Sequence, residues 1–223
     1  MHDAPDNPRP ARGWRDTARV ISTIEDLEEL GTPTPIVRDK VLDVLHDTHI
    51  AWLAATPLAF LATAGADGRC DVSPKGDPAG FVKVLDRHTV AVPERPGNRR
   101  MDGHHNILAN PHIGMICVIP GRADTMRLNG RATLVRDASF MDDMRVRGHR
   151  PTLAVVIDVE EVFFHCPKSF RRADAWDPSA WRPDDAPAPA DIALALWRKG
   201  QRPEDVAEYY RRPMSRDDLY TTK

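Results

Sequence analysis

The sequence predicts a mainly β fold, with about six or seven antiparallel strands in a small closed barrel and helices flanking it. Two observations predict this fold. From residue 58 onward the spacing of apolar residues changes from helical to strand-like. Short turn-forming segments, such as Gly65-Ala66-Asp67-Gly68, then separate the strands at hairpin distances. Closing these strands into a barrel would leave no strand edge exposed.

The segment before the barrel is expected to be largely helical. Residues 1–20 are rich in Pro, Arg and Asp, which predicts a loosely docked arm. Ser22 and Glu25 have the spacing of a capping box, so a short helix is predicted over residues 25–30. Residues 36–55 predict a longer amphipathic helix, because apolar side chains recur there at near-helical spacing.

The barrel region alternates strands with two short helices. Residues 126–135 have the clearest strand pattern, with Met126 and Leu128 on one face and Arg127 and Asn129 on the other. The strands are predicted at residues 58–64, 69–73, 80–85, 89–92, 113–119, 126–135 and 153–164, and the helices at residues 103–110 and 139–147.

After residue 165 the composition shifts to a proline-rich loop over residues 174–189, followed by predicted helices over 190–200 and 203–211. We therefore predict three regions. They are an N-terminal arm with helices (1–55), the barrel (56–166) and a C-terminal loop and helical extension (167–223).

Composition excludes several classes of function. The net charge of −2 lacks the positive field on which nucleic-acid binding depends. No apolar run reaches the ~18–20 residues that span a bilayer, and the N-terminus does not resemble a secretory signal, so we expect a cytoplasmic protein with no membrane partner. Cys70, Cys117 and Cys166 are isolated, which predicts neither a disulfide framework nor a metal site.

Three polar segments of the barrel region, residues 71–76, 95–100 and 127–130, gather basic and amide side chains. Pro96 and Gly97 would stiffen a turn that presents Arg99 and Arg100 to one anion, and arginine binds phosphate bidentately. Taken singly, each segment is equally typical of a solvated turn or an exposed strand face. Taken together, they predict a site for an anion such as phosphate.

These motifs, in this order, resemble the pyridoxamine 5′-phosphate oxidase-like, FMN-binding split-barrel superfamily. The resemblance covers about half of the chain and extends more loosely into residues 165–178, which look like a bacterial subgroup. It is carried by Asp71-Val72-Ser73-Pro74-Lys75-Gly76, by Asn98-Arg99-Arg100 where relatives carry a Ser-Arg-Lys-like clamp, by Asn106-Ile107-Leu108-Ala109-Asn110-Pro111, and by Met126-Arg127-Leu128-Asn129-Gly130.

The resemblance implies a homodimer that binds FMN at the subunit interface and acts as an oxidoreductase on a small molecule. Trp176 would cover the flavin ring, and Arg127 would come from the partner subunit. No catalytic side chain is assigned. The implied cofactor-binding residues are Arg69, Val72, Ser73, Lys75, Asn98, Arg99, Arg100, Asn106, Arg127, Lys168 and Trp176.

Alternatives stay open at this point. The chain would also fit a non-catalytic flavin binder, a deazaflavin protein, or a haem protein in which His104 or His165 ligates iron. A structural dimer without ligand is a further alternative. Residues 214–219 do not match the Arg-rich, aromatic substrate clamp of pyridoxamine phosphate oxidases proper, so vitamin B6 oxidation is not expected.

Overall fold

The chain divides into two units, residues 1–39 and 40–223, and the computed structural model describes residue 13 and residues 17–221. The first unit contains α1 (Ile24–Glu28) and α2 (Pro35–Arg38). Thr23, not Ser22, caps α1, because its Oγ1 accepts a hydrogen bond from the Asp26 amide. Residues 1–12 and 14–16 of the predicted arm lie outside the described residues.

The second unit contains a seven-stranded antiparallel sheet with the strand order β2-β1-β5-β6-β7-β4-β3. This confirms the predicted mainly β fold with flanking helices. The strands are β1 (Leu58–Ala64), β2 (Cys70–Gly76), β3 (Lys83–Val84), β4 (Thr89–Pro93), β5 (His112–Val118), β6 (Thr125–Val135) and β7 (Ala154–His165).

The sheet is split, because no ladder joins its end strands β2 and β3 among the described residues. This split antiparallel sheet confirms the split barrel that the resemblance implies. The expectation that the strands close fully and leave no edge is not met. Side chains bridge the gap instead. Lys75 of β2 pairs with Glu94, and Asp77, just after β2, pairs with Arg95. Glu94 and Arg95 directly follow β4, so these two ion pairs connect the ends of two strands that do not pair.

Helices flank the sheet of the second unit. The predicted helix over residues 36–55 was wrong, because residues 39–46 are not helical. There, Leu42 exchanges two backbone hydrogen bonds with Val162 of β7, which a continuous helix would prevent. The predicted helix over 139–147 is a shorter 3₁₀ helix, Ser139–Met144. The α-helices are α3 (Asp47–Ala55), α4 (Asp102–Ala109), α5 (Lys168–Arg172), α6 (Pro189–Leu196) and α7 (Pro203–Arg211).

Strand β6 carries the longest ladder, and it changes register at Asn129 and Gly130. A Cβ atom at Gly130 would collide with the carbonyl oxygen of Asp158 on β7, so only glycine allows this close approach. The predicted alternation along β6 is otherwise observed. Met126 and Leu128 are fully buried in the core, whereas Arg127 and Asn129 face the other side and are half-buried.

The core lies between the inner face of the sheet and helices α3 and α4. Its fully buried side chains include Leu45, Leu53, Met115, Met126, Leu128 and Ile157. Within residues 17–221, no helix has both the length and the apolar character needed to cross a bilayer.

Candidate functional site

The segment between β4 and α4 forms a strained turn. Arg99 and Met101 both have φ of +59°, in the left-handed region that non-glycine residues rarely occupy. The Asn98 side chain stabilises the turn, since its Oδ1 accepts a hydrogen bond from the Arg100 amide at 3.1 Å. Each left-handed residue costs about 1–2 kcal/mol. Backbone strain of this kind is concentrated at functional sites in proteins.

The three arginines of this turn differ in their contacts. Arg95 is largely buried, and its Nε donates to Asp77 Oδ2 at 2.6 Å. Arg100 is exposed, and its Nε donates to Asp102 Oδ2 at 2.6 Å, which raises the pKa of the Arg100 guanidinium. Within the described part of the chain, the Arg99 side chain has no hydrogen bond or ion pair. Arg99 is therefore the guanidinium left available to a ligand.

Lys75 lies next to the turn, but its charge is already matched. Its Nζ donates to Glu94 Oε2 at 2.5 Å. His104 Nε2 lies 3.3 Å from the same oxygen, without the alignment of a hydrogen bond. Burial favours the neutral form of Glu94, but the contacts with His104 and Lys75 outweigh it and lower the pKa of this carboxyl.

Among the cavities that residues of the turn line, two differ in charge. The larger, of about 740 Å³, is lined by Arg95, Arg99 and Arg150, and Glu94 is its single carboxylate among the described lining residues. The smaller, of about 160 Å³, is lined by the predicted Ser73, Lys75 and Arg100, and also by Asp71, Glu94 and Asp102. The three carboxylates of the smaller cavity would repel a negative ligand. The larger cavity is therefore the better place for an anion.

Other predicted site residues lie further away. Arg69 is in the hairpin turn, where it pairs with Asp67, and six residues of extended strand put it about 20 Å from Lys75. Val72 is 60% exposed on the outer face of β2. Asn106 donates from Nδ2 to Thr63 Oγ1 at 3.0 Å, a contact that holds α4 against β1.

Arg127, Lys168 and Trp176 are also not brought to the turn within one chain. Arg127 lies on the outer face of the sheet, opposite Phe163 of β7. Lys168 begins α5 and is exposed. The Trp176 indole stacks on Phe170 and donates to the carbonyl oxygen of Arg122 at 2.7 Å. None of the three lines either cavity of the turn.

Sequence reasoning missed three residues that organise the site: Glu94, Asp77 and Tyr220. The Tyr220 hydroxyl donates to Asp77 Oδ1 at 2.6 Å, and its ring stacks on His149. Burial and the Asp77 carboxylate raise the pKa of Tyr220. Glu94 adjoins a recognised motif and was a detectable candidate. No local signal links Tyr220 to Asp77, because 143 residues separate them.

The described residues contain no group of three or more His, Cys, Asp or Glu side chains placed to hold a metal ion. The candidate site is thus built from one available guanidinium, amide and hydroxyl groups, and a buried Lys–Glu pair. This set of donors matches a phosphate group.

The family model described as pyridoxamine 5′-phosphate oxidase matches residues 45–166, more than half of the chain. No curated protein sequence gives a significant match.

Several solved structures are similar over about half of this chain. HupZ from Group A Streptococcus is 22% identical over 54% of this chain and 94% of that one, with a TM-score of 0.44. A protein from Lactobacillus delbrueckii, described as a pyridoxamine 5′-phosphate oxidase by similarity, is 22% identical over 55% and 95%, with a TM-score of 0.42. HutZ, the haem storage protein from Vibrio cholerae, is 14% identical over 52% and 89%, with a TM-score of 0.37.

Proposed function

The chain belongs to the pyridoxamine 5′-phosphate oxidase family, and on that premise we propose that it binds FMN and acts as an FMN-dependent oxidoreductase on a small molecule. One observation carries the proposal. A strained turn holds the Arg99 guanidinium, which has no ion pair with a described residue, at the wall of a 740 Å³ cavity. A cavity of this volume is within the usual range for small-molecule and cofactor sites.

The residues of the turn fit the phosphate of FMN. Arg99 would supply a charge-assisted, bidentate contact, and Asn98 also lines the cavity. The buried Lys75–Glu94 pair is neutral overall, so it leaves the positive field of Arg99 uncancelled. Arg100 would add a weaker contribution, because Asp102 already accepts from it. The roles of Arg69, Val72, Ser73, Asn106, Lys168 and Trp176 stay predictions.

Bound FMN would supply the redox chemistry, by taking up or giving up a hydride. The chain would bind the cofactor and orient it. Tyr220 and Thr221 line the same cavity as Arg99, so the C-terminal segment would exclude water from one side of it. Glu94, kept ionised by its contacts with His104 and Lys75, would hold the turn in place without exchanging a proton near neutral pH.

We further propose that two copies of the chain associate through the outer face of the sheet. Cross-strand pairing puts Phe60, Ile116 and Arg127 in one row on this face. Phe60 and Ile116 are 40% and 39% exposed, and Val72 on the same face is 60% exposed. An exposed apolar patch on a sheet face favours contact with another protein surface.

The test of FMN binding is a spectrum followed by a titration. The purified protein mixed with FMN should retain flavin bands near ~370 and ~450 nm after gel filtration. Replacing Arg99 and Arg100 together with Ala should weaken FMN binding by about 2–4 kcal/mol, with most of the loss already present in Arg99→Ala. The matched control is the adjacent, exposed pair Arg211 and Arg212, whose double Ala variant should bind normally.

Unchanged FMN affinity in the Arg99/Arg100 double variant would overturn the phosphate assignment. A protein that retains FMN but is not reduced by a nicotinamide donor or by candidate substrates would be a non-catalytic flavin binder. A Soret band in place of flavin bands would make it a haem protein.

The dimer is tested by light scattering. The wild type should have a mass near twice 24.9 kDa, and Ile116→Arg should shift it toward the monomer. Leu108→Arg is the control, since Leu108 is exposed on α4 away from the outer face. A monomeric wild type would overturn the shared interface.

A further inference from the structure

Three basic side chains surround the Phe163 ring at the outer face of the sheet. The Arg127 guanidinium carbon lies 4.5 Å from the ring centre, and Lys40 Nζ lies 5.5 Å from it. The centre of the His165 ring is 5.0 Å from the same point. We call Lys40, Arg127 and His165 the outer basic cluster. Its members come from the segment before α3, from β6 and from the end of β7.

The outer basic cluster has no acidic partner. None of its three side chains forms an ion pair with a described residue, and Lys40 Nζ donates only to the carbonyl oxygen of Phe164, at 2.7 Å. Arg127 Nε and His165 Nε2 are both buried and have no hydrogen-bond partner among the described residues. By contrast, Asn129, the next residue on the same face of β6, donates to Glu161 at 2.6 Å.

This arrangement is costly unless a ligand completes it. A buried donor without an acceptor loses the hydrogen bond that water provides in the unfolded chain. Burial, Arg127 and Lys40 all disfavour a charge on the imidazole and lower the pKa of His165. An oxyanion placed among these groups would accept from Arg127 Nε, offset the repulsion between Arg127 and Lys40, and restore the charged form of His165.

We propose that Lys40, Arg127 and His165 form a binding site for one oxyanion group of a small molecule, a phosphate or a carboxylate. Phe163 is the apolar floor of this site, and its own exposure is only 8%. Within one chain the site is separate from the Asn98–Arg100 turn, because none of Lys40, Arg127, Phe163 and His165 lines either of the two cavities described at the turn.

The bound oxyanion could have two sources. One is a separate anionic substrate or effector. The other is the phosphate of FMN held mainly by the partner subunit, and this second source rests on the proposed function. The same titration distinguishes them when it is made with and without FMN.

The experiment uses the full-length protein with inorganic phosphate as the probe. The pKa of His165 is followed by NMR of its ring signals, which are assigned by comparison with His165→Gln. Saturating phosphate should raise this pKa. Arg127→Gln and Lys40→Gln should each weaken phosphate binding, the former by about tenfold or more, because a charge-assisted hydrogen bond is lost. Lys40 is exposed, so its replacement should remove the hydrogen bond to the Phe164 carbonyl oxygen without disturbing the core.

Arg131→Gln is the matched control. Arg131 lies four residues after Arg127 on the same face of β6, and its side chain contacts His112 instead of Phe163. It should leave phosphate binding unchanged. No saturable response of His165, or equal weakening in all three variants, would overturn the proposal, because only nonspecific screening would remain.

The phosphate titration of the FMN-loaded protein identifies the source of the oxyanion. Phosphate binding that persists in FMN-loaded protein would identify a separate ligand. Phosphate binding that FMN abolishes, together with weaker FMN binding in Arg127→Gln, would identify the flavin phosphate. If the protein binds phosphate at the cluster but takes up no FMN, the cluster stands and the proposed function fails.

Discussion

Glu94 Oε2 lies 2.5 Å from Lys75 Nζ, and this contact connects the end of β2 to the residue after β4. The two strands do not pair, and the side chains are only 20% and 13% exposed. The ion pair therefore holds these two strand ends together, as hydrogen-bonded ladders hold the paired strands of the sheet. It also sets the starting point of the turn that presents Arg99.

Glu94→Gln should destabilise the protein by about 2–4 kcal/mol at pH 7, because it leaves the Lys75 ammonium largely buried without a counter-charge. The pKa of Glu94 is lowered in the folded protein, so its contribution is present above the unfolded pKa and is lost as the pH falls through the folded value. Denaturant unfolding at pH 7 and below pH ~4 measures both effects.

The difference in the free energy of unfolding between wild type and Glu94→Gln should become smaller in acid. Glu160→Gln, at an exposed position of β7, should cost little at either pH. A difference that stays constant down to the acid limit would contradict the assigned pKa direction.

Tyr220→Phe should lower the free energy of unfolding by about 1–2 kcal/mol, because the hydroxyl that donates to the buried Asp77 carboxylate is lost. Arg95 still pairs with Asp77, so we expect a local loosening of the C-terminal segment and not global unfolding. Thermal unfolding and limited proteolysis near residue 215 measure the two effects. Tyr209→Phe is the control, since the Tyr209 hydroxyl has no hydrogen bond to a described residue, and an equal loss there would refute the interpretation.

Gly130→Ala should destabilise the protein by about 2–3 kcal/mol, because its Cβ would meet the Asp158 carbonyl oxygen and force β6 and β7 apart. Gly97→Ala provides the contrast, since its Cβ would have no neighbour closer than 4.0 Å. Urea unfolding of both variants is the measurement. Equal stability of Gly130→Ala and wild type would mean that the two strands do not approach as described.

Native protein at pH 8 should expose two of its three thiols to a thiol reagent. Cys70 and Cys166 are exposed, whereas burial raises the pKa of Cys117 to about 12. The third thiol should react only after unfolding. Rapid reaction of all three in the native state would show that the core around Cys117 opens.

Local patterns predicted the strands well, because the alternation in residues 126–135 directly reflects burial of one face of β6. The helix predicted over residues 36–55 failed, because Leu42 pairs with Val162, 120 positions later, and local spacing carries no trace of that contact. The same limit applies to the candidate site. The sequence predicted the basic turn. It could not predict the Lys75–Glu94 ion pair or the Tyr220–Asp77 hydrogen bond, because both depend on the folded sheet.

Strand β2 has one further consequence, since it is an end strand with one unpaired side. Open strand edges invite pairing between molecules and hence aggregation. Pro74, in the middle of β2, has no amide hydrogen to donate, and Lys75 beside it places a charged residue in the same strand. The segment that resembles a cofactor-binding motif would thus also discourage a neighbouring molecule from extending the sheet, whether or not a ligand is bound.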